Sequence, residues 1–393
     1  MKIRNKQLCL QPFSKDPLYL IDLFSSVATQ MKCPITIHQI KSASVFPEIA
    51  TTTENENILY WDMQYWEFYD RFLLELSYLF EDISYEEKFS QRVLALYYDF
   101  LSLKLLHFPE LAYCIQVNRE RKFHADNEEA TIVDGKTFQL LGSTFESGIF
   151  HSRFLVFYHE LFHLYYKNNP DIKIEDCKRL NRLASFYNTQ DLFNNEDDDI
   201  TISILTEGFR TLSNSEPNKL LEEASCDYRA LIETISMHKK LNNNSNKKFL
   251  LELIHIHDAF HINQTFLSYL TNIFLCWESL YKVYRNVESY ETLMKNTQPY
   301  LDKASQMAII RNSIIPDFLD KLTTQKYKME SYSSILNKPY IKSAIHKVSD
   351  EMVDLNFMLY AIEEAIKLSQ LPHYNPIELK NIVLSNAGYS NLN

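Results

Sequence analysis

The sequence predicts a mainly α-helical protein with a small β component, an α+β fold in which helices dominate. The chain of 393 residues contains only five glycines, and glycine scarcity disfavours turn-rich all-β folds and glycine-rich phosphate loops. It contains 25 Tyr and 25 Phe, and 46% of its residues are hydrophobic, so long aromatic helices can fill a sizeable core. Apolar residues recur mostly at the three- and four-residue spacing of an amphipathic helix.

An N-terminal region, residues 1–125, is predicted to be mostly helical with a few strands. Helical spacing of apolar residues predicts the helices, and short apolar stretches predict the strands. The charged segment 118–128 is interpreted as a connection to the next region. The predicted helices cover residues 17–31, 65–80 and 86–106, and the predicted strands cover residues 34–40 and 57–63.

A central region, residues 126–241, begins with a signal for a β-hairpin. Asp134-Gly135 lies between two short apolar stretches, 131–133 and 137–141, and this pattern is typical of a type I′ turn. A helix is predicted to follow directly, with Ser152 as its N-cap and Asn168-Asn169-Pro170 as its end. Two more helices are predicted, over residues 173–188 and from residue 217 to about residue 241.

A C-terminal region, residues 247–393, is predicted to be a helical domain. Its apolar residues again follow the helical period, and no internal repeat is visible. The last twenty or so residues are interpreted as a loose terminus. The predicted helices cover residues 249–287, as one helix or a pair, and residues 289–312, 316–336 and 341–369.

Charge and cysteine content narrow the classes of partner. The formal net charge is −11 and no basic stripe is present, so a nucleic-acid partner is disfavoured. The six cysteines form no CxxC pair, which indicates reduced thiols. The N-terminus has no apolar signal segment, and the longest uncharged stretch, residues 259–277, is too polar for a membrane span. The sequence therefore predicts a cytoplasmic protein without a membrane partner.

The strongest chemical signal is His159-Glu160-Leu161-Phe162-His163, which contains H-E-x-x-H. Residues four apart share one face of a helix, so His159 and His163 can direct two imidazoles at one ion. Glu160 is the only charged residue between positions 154 and 166, and a carboxylate in an apolar helix is costly unless it is paired or functional. This arrangement is typical of Zn²⁺ with a glutamate as general base toward water.

A catalytic zinc site needs a third protein ligand while one position stays open for water. The H-x-x-G-x-x-H extension is absent after His163, so the ligand must come from elsewhere. Glu223 is the best candidate, and Asp227 is one helical turn further on. A carboxylate at position 227 can accept the N–H of a ligating histidine and fix its orientation. Small residues around these acids, including Ala224 and Ser225, would let the two helices approach closely.

Together, the HELFH stretch at 159–163 and the EASCD stretch at 223–227 resemble the gluzincin group of zinc metallopeptidases. The resemblance covers roughly residues 129–240. It implies a helical zincin-like metallopeptidase core in the central region, with His159, His163 and Glu223 as zinc ligands. It also implies Glu160 as the general base, Asp227 as the carboxylate behind a ligand, and a protein or peptide substrate. The hairpin before the helix would supply the edge strand that holds an extended peptide.

Several alternatives remain open. Glu207, in Leu205-Thr206-Glu207-Gly208-Phe209, resembles the segment that carries the third ligand in aminopeptidase-like gluzincins, and it would then replace Glu223. His257 and His261 repeat the spacing of the metal histidines and could contribute to the cleft or bind a second metal. His151 and Tyr158 are weaker candidates for the group that stabilises the oxyanion, and Cys226 is expected to pack behind the metal helix.

The function predicted from these residues is a selective intracellular zinc metallopeptidase. The alternative is a non-catalytic helical interaction protein whose zinc is structural or vestigial. A third option is zinc-dependent hydrolysis of a substrate other than a peptide. A fourth protein ligand would favour the structural role, whereas an open position for water would favour catalysis.

Overall fold

The protein is mainly α-helical with one small sheet, as the sequence predicts. The computed structural model describes residues 17–40, 47–123, 135–189, 219–241, 246–285, 338–352 and 354–386. The strands are β1 (Thr36–Ile40), β2 (Glu48–Thr51) and β3 (Asn57–Asp62). The helices are α1 (Pro17–Gln30), α2 (Met63–Glu81), α3 (Glu86–Lys104), α4 (Pro109–Phe123), α5 (Gly135–Asn168), α6 (Pro170–Thr189), α7 (Lys219–Leu241), α8 (Asn246–Tyr284), α9 (Pro339–Met352), α10 (Leu355–Ser369) and α11 (Pro376–Asn386).

The three strands form one mixed sheet with β3 in the centre. β3 runs parallel to β1 and antiparallel to β2, with Leu59 opposite Ile37 on one side and Ile49 on the other. A tight turn joins β2 to β3, and Asn55 at its tip adopts a positive φ of 62°, which asparagine tolerates better than most residues. The two predicted strands are confirmed. β2 escaped prediction because its four residues are only partly buried and carry no strong alternation.

The sheet leads directly into α2, whose aromatic face anchors the core. The carboxylate of Asp62 accepts a hydrogen bond from the backbone N–H of Gln64 at 2.8 Å and caps the helix. Tyr65 and Tyr69 are fully buried, and both rings pack against Phe266 of α8, at centroid distances of 5.4 and 5.1 Å. These edge-on aromatic contacts join the N-terminal region to the C-terminal one.

The C-terminal helices pack against α3 and α4. Buried Glu110 of α4 accepts hydrogen bonds from the hydroxyls of Tyr284 and Tyr374. One continuous hydrophobic cluster contains residues from all three predicted regions. The predicted helix over 341–369 is in fact two helices, α9 and α10, because Asp354 caps a new helix at the N–H of Phe357, 3.0 Å away.

Three local predictions in the sequence are wrong. Residues 137–141 belong to helix α5 and not to a strand, because α5 runs without interruption from Gly135 to Asn168. Ser152 is therefore no N-cap, and its hydroxyl lies inside the core, 2.5 Å from that of Tyr69. Residues 118–123 are helical and not a connection, since Arg119 pairs with Asp99 at 2.8 Å and Asn118 is buried.

The remaining terminal and helix-end predictions have mixed outcomes. The stop at Asn168-Asn169-Pro170 is confirmed, since α5 ends at Asn168 and α6 begins at Pro170. The loose C-terminus contains α11, which buries Val383. The segment 131–133, Glu207 and the helices predicted at 289–312 and 316–336 lie outside the described residues. Within the described part of the chain, no helix is both long and apolar enough to cross a bilayer.

Candidate metal centre

The candidate metal centre lies between α5 and α7, which pack against each other along their lengths. The helices are antiparallel: His159 lies opposite Asp227, whereas His151, two turns earlier on α5, lies opposite His238. The stretch of α7 around Glu223 and Asp227 also contains small side chains, as the sequence suggested. Those of Ala224, Ser225, Cys226 and Ala230 are all buried.

Three side chains converge at this contact. The Nε2 atoms of His159 and His163 are 3.2 Å apart. Oε2 of Glu223 lies 3.2 Å from Nε2 of His159 and 3.6 Å from Nε2 of His163. Among the described residues, this is the one group of three or more His, Cys, Asp or Glu side chains close enough to share an ion. All three belong to the predicted ligand set.

The triangle formed by these atoms has the dimensions of a zinc site. Ligand atoms at about 2.0–2.2 Å from a tetrahedral ion lie about 3.3–3.6 Å from one another. The three measured separations, 3.2, 3.2 and 3.6 Å, fall in or next to that range. Nitrogen and carboxylate oxygen are also donors that Zn²⁺ accepts. The residues present therefore fit a zinc ion in both chemistry and spacing.

Asp227 supports the first histidine from behind. The Nδ1–H of His159 donates to Oδ1 of Asp227 at 2.7 Å, which leaves Nε2 directed at Glu223. Burial lowers the pKa of His159, but the carboxylates of Asp227 and Glu223 outweigh burial and raise this pKa to about 10. Burial alone would raise the pKa of Glu223, yet its hydrogen bonds to His159 and His163 hold that pKa well below its usual range. The pocket is therefore strongly favourable to a positive charge.

Glu160 is partly exposed and lies beside the two histidines in sequence and in space. Removal from water raises the pKa of its carboxyl group, and the positive potential of His159 and His163 partly opposes this effect. The carboxylate of Glu223 raises the pKa further by repulsion. A carboxylate with an elevated pKa is a better proton acceptor than a free one.

Helix α6 packs against both α5 and α7 and holds α7 in place. Asp176, fully buried, accepts two hydrogen bonds from the guanidinium of Arg229, both at 2.7 Å, and one from the hydroxyl of Tyr166 at 3.0 Å. One residue on, Cys177 lies 3.4 Å from the hydroxyl of Ser225. These contacts fix the depth and rotation of α7, and with them the direction of its carboxylates.

The other candidates from the sequence do not join the three-ligand group. Cys226 is buried, with its sulfur 3.6 Å from Nδ1 of His163, so it packs behind the metal helix as expected. The hydroxyl of Tyr158 contacts the sulfur of Met237 at 3.8 Å. His257 and His261 pack ring to ring on α8, with centroids 4.5 Å apart. In the described part of the chain, neither belongs to a three-ligand group.

Sequence reasoning missed two residues near the site, Glu222 and Lys173. The carboxylate of Glu222 lies 3.5 Å from Nδ1 of His163 and 2.5 Å from Nζ of Lys173. Glu222 immediately precedes Glu223, so the doubled acid was visible in the sequence. Its partner on α6 was not, because Lys173 lies in a charged helix with no distinguishing motif.

Comparisons with known proteins identify no relative of this chain. No family model, no curated protein and no solved structure matches the chain. Function is therefore inferred from the chemistry and geometry of the side chains on α5, α6 and α7.

Proposed function

We propose that the protein is a zinc-dependent metallopeptidase with a gluzincin-like core. His159, His163 and Glu223 bind Zn²⁺, Glu160 is the general base, and Asp227 orients His159. The observation that carries this proposal is the triangle of Nε2, Nε2 and Oε2 atoms with edges of 3.2, 3.2 and 3.6 Å. Two helices separated by about 60 residues of sequence converge on it, as the H-E-x-x-H and E-x-x-x-D motifs together require.

The ligand set favours a catalytic ion over a structural one. Structural zinc sites have four protein ligands, whereas catalytic sites have three and keep one position for water. Within the described residues, no fourth His, Cys, Asp or Glu joins the group. The nearest thiol, that of Cys226, faces Nδ1 of His163, the ring nitrogen that is not directed at the triangle. Burial raises the pKa of this thiol well above its usual range.

Hydrolysis then follows from the position of Glu160. When bound, Zn²⁺ lowers the pKa of a coordinated water and polarises a carbonyl group. Glu160 accepts the proton released from the attacking water and later returns it to the leaving amine. Burial raises the pKa of Glu160, which makes its carboxylate a stronger proton acceptor.

A peptide substrate fits the surroundings of α5. Strand β2 is at the edge of the sheet and packs against α5, with Lys167 reaching the hydroxyl of Thr51 at 3.3 Å. An extended peptide pairs with such an edge through backbone hydrogen bonds. In this proposal, β2 supplies the edge strand that holds an extended peptide. The sequence had assigned that role to a hairpin at 131–141.

The test is to separate metal binding from hydrolysis. Wild type and Glu160→Gln are loaded with one equivalent of Zn²⁺, and metal content and cleavage of a fluorogenic peptide library are measured. We expect both proteins to hold zinc and only the wild type to cleave, with a loss of at least about 100-fold in the variant. Equal cleavage by both proteins would overturn the role of Glu160, and absence of cleavage by the zinc-loaded wild type would overturn the peptidase proposal.

A further inference from the structure

The two metal histidines are supported differently at their outer nitrogens. His159 donates to Asp227 at 2.7 Å, and its side chain is 13% exposed. Nδ1 of His163 lies 3.5 Å from Oε1 of Glu222, and this side chain is 30% exposed. A ligating imidazole needs a partner at its second nitrogen to fix the ring and the tautomer. Glu222 is the carboxylate at this nitrogen of His163, and the thiol of Cys226, 3.6 Å away, also contacts it.

Glu222 is itself held by a cation from the neighbouring helix. Nζ of Lys173 lies 2.5 Å from Oε2 of Glu222, the oxygen that does not face His163. One carboxylate therefore bridges an ammonium on α6 and an imidazole on α5. Lys173, Asp176 and Cys177 share one face of α6, and their partners Glu222, Arg229 and Ser225 share one face of α7.

We propose that Glu222 and Lys173 form a positioning pair for His163: Glu222 accepts the Nδ1–H of His163 when metal is bound, and Lys173 fixes Glu222 for that role. This proposal rests on the metal site proposed above. Asp227 needs no such anchor because it is buried and lies within hydrogen-bonding distance of His159. Glu222 is 26% exposed, and without Lys173 its carboxylate would turn toward solvent.

The charge of Lys173 serves a second purpose. Glu222 stands next to Glu223 in sequence and near Asp227 and Glu160, so the site concentrates negative charge. The ammonium of Lys173 lies against one carboxylate of this group, that of Glu222. Lys173 therefore holds the carboxylate of Glu222 close to His163.

The test is a double-mutant cycle on metal affinity in the full-length chain. Zinc dissociation constants are measured by competition with a chromophoric chelator for wild type, Glu222→Gln, Lys173→Met and the double variant. Glu175→Gln and Arg179→Met, an exposed pair 3.5 Å apart on α6, provide controls with the same charge changes. Lys173→Arg is the conservative variant. Thermal unfolding without metal establishes that each protein is folded.

We expect Glu222→Gln to weaken zinc binding by about 10- to 100-fold, the effect of removing a partner behind a metal ligand. Lys173→Met should weaken it by about 2- to 5-fold, as for a partly exposed ion pair, and should add nothing in the Glu222→Gln background. Lys173→Arg should restore wild-type affinity. The Co²⁺ absorption bands should change in Glu222→Gln and stay unchanged in the Glu175 and Arg179 controls, because only the former alters a ligand's orientation.

Two results would overturn the positioning pair. One is Glu222→Gln with zinc affinity within twofold of wild type. The other is an additive cycle, in which Lys173→Met costs the same affinity with and without Glu222. Either result leaves the metal site itself in place, since wild type would still bind zinc. Failure of wild type to bind zinc would instead reject the proposed function.

Discussion

Two helices of this protein carry the pattern H-x-x-x-H, and the two histidine pairs have opposite electrostatics. On α5, the rings of His159 and His163 have centroids 4.9 Å apart, and neighbouring carboxylates raise the pKa of His159 to about 10. On α8, the rings of His257 and His261 have centroids 4.5 Å apart. Burial lowers the pKa of His257 to about 4, and burial together with His257 lowers that of His261 to about 3.

This difference shows that i, i+4 spacing brings two imidazoles together but does not by itself create a binding site for a cation. The pair on α5 faces Glu223 and Asp227 across an interhelical contact, and those charges stabilise a positive ion. The pair on α8 is dominated by loss of solvent, which stabilises the neutral rings. The same local motif is therefore part of a candidate metal site in one place and surrounded by neutral packing in the other.

The largest expected effect is the loss of metal in Glu223→Ala. This variant removes the carboxylate that completes the triangle, leaving two imidazoles that resemble the pair on α8. Zinc affinity should fall by at least about 100-fold, more than the loss of an outer partner costs. Equilibrium dialysis with Zn²⁺ measures the change. Affinity close to that of wild type would assign the third ligand to another residue, with Glu207 the first to test.

A smaller loss is expected for Asp227→Asn. The amide preserves shape but removes the charge that orients and polarises His159, so zinc should bind about 10- to 100-fold more weakly. Isothermal titration calorimetry on the folded variant gives the value. Glu233→Gln, a loss of charge further along α7, is the matched control and should keep wild-type affinity. Equal losses in both variants would indicate a general field effect and not a specific contact.

The pair on α8 predicts a dependence of stability on pH. In the folded chain, the pKa values of His257 and His261 both lie below the ordinary value for histidine. As pH falls, the unfolded chain therefore binds protons that the folded chain does not bind. The contribution of this pair to the free energy of unfolding is complete above about pH 6.5 and decreases as pH falls toward 4. Each unit of pKa shift accounts for about 1.4 kcal/mol of this contribution. Chemical denaturation from pH 4 to 7 should show a flatter profile for the His257→Gln, His261→Gln double variant than for wild type. Parallel profiles would contradict the neutral, buried state of these rings.

The smallest effect is expected for His261→Gln on zinc binding. Because this histidine is not part of the three-ligand group, its removal should leave the zinc dissociation constant within about twofold of wild type, the range of effects transmitted over a distance. The measurement uses the same chelator competition as for the α5 variants. A second equivalent of tightly bound zinc that disappears in His261→Gln would show instead that the α8 pair is a metal site.

Much of the fold and the candidate site followed from sequence periodicity. Helical spacing located α2, α3, α7 and α8, and the ligand spacing in H-E-x-x-H and E-x-x-x-D brought together the residues that now form the triangle. Both signals are local, and each repeats within one or two helical turns. These signals predict the folded arrangement because helix geometry itself places residues four apart on the same face.

What could not be predicted depends on contacts between distant elements. The Asp134-Gly135 signal suggested a hairpin, but Gln139, Leu140 and Leu141 suit a helix as well, and α5 continues through them. The ion pairs of Lys173 and Asp176 could not be predicted, because their partners on α7 are 49 and 53 residues away in sequence. Pairs of residues that are so far apart in sequence produce no periodic pattern by which they could be predicted.

The clamp that α6 places on α7 also bears on which ions the centre accepts. Ca²⁺ prefers six to eight oxygen ligands at about 2.3–2.6 Å, and Mg²⁺ prefers an octahedron of oxygens. Two imidazole nitrogens on one helix and a carboxylate on a second, fixed through Arg229 and Asp176, cannot spread to meet either demand. A centre with two nitrogen donors and one carboxylate would therefore disfavour Ca²⁺ and Mg²⁺ by donor type. The ions that would compete with Zn²⁺ are transition metals such as Cu²⁺ and Ni²⁺. They bind the same donor atoms but prefer a different coordination geometry.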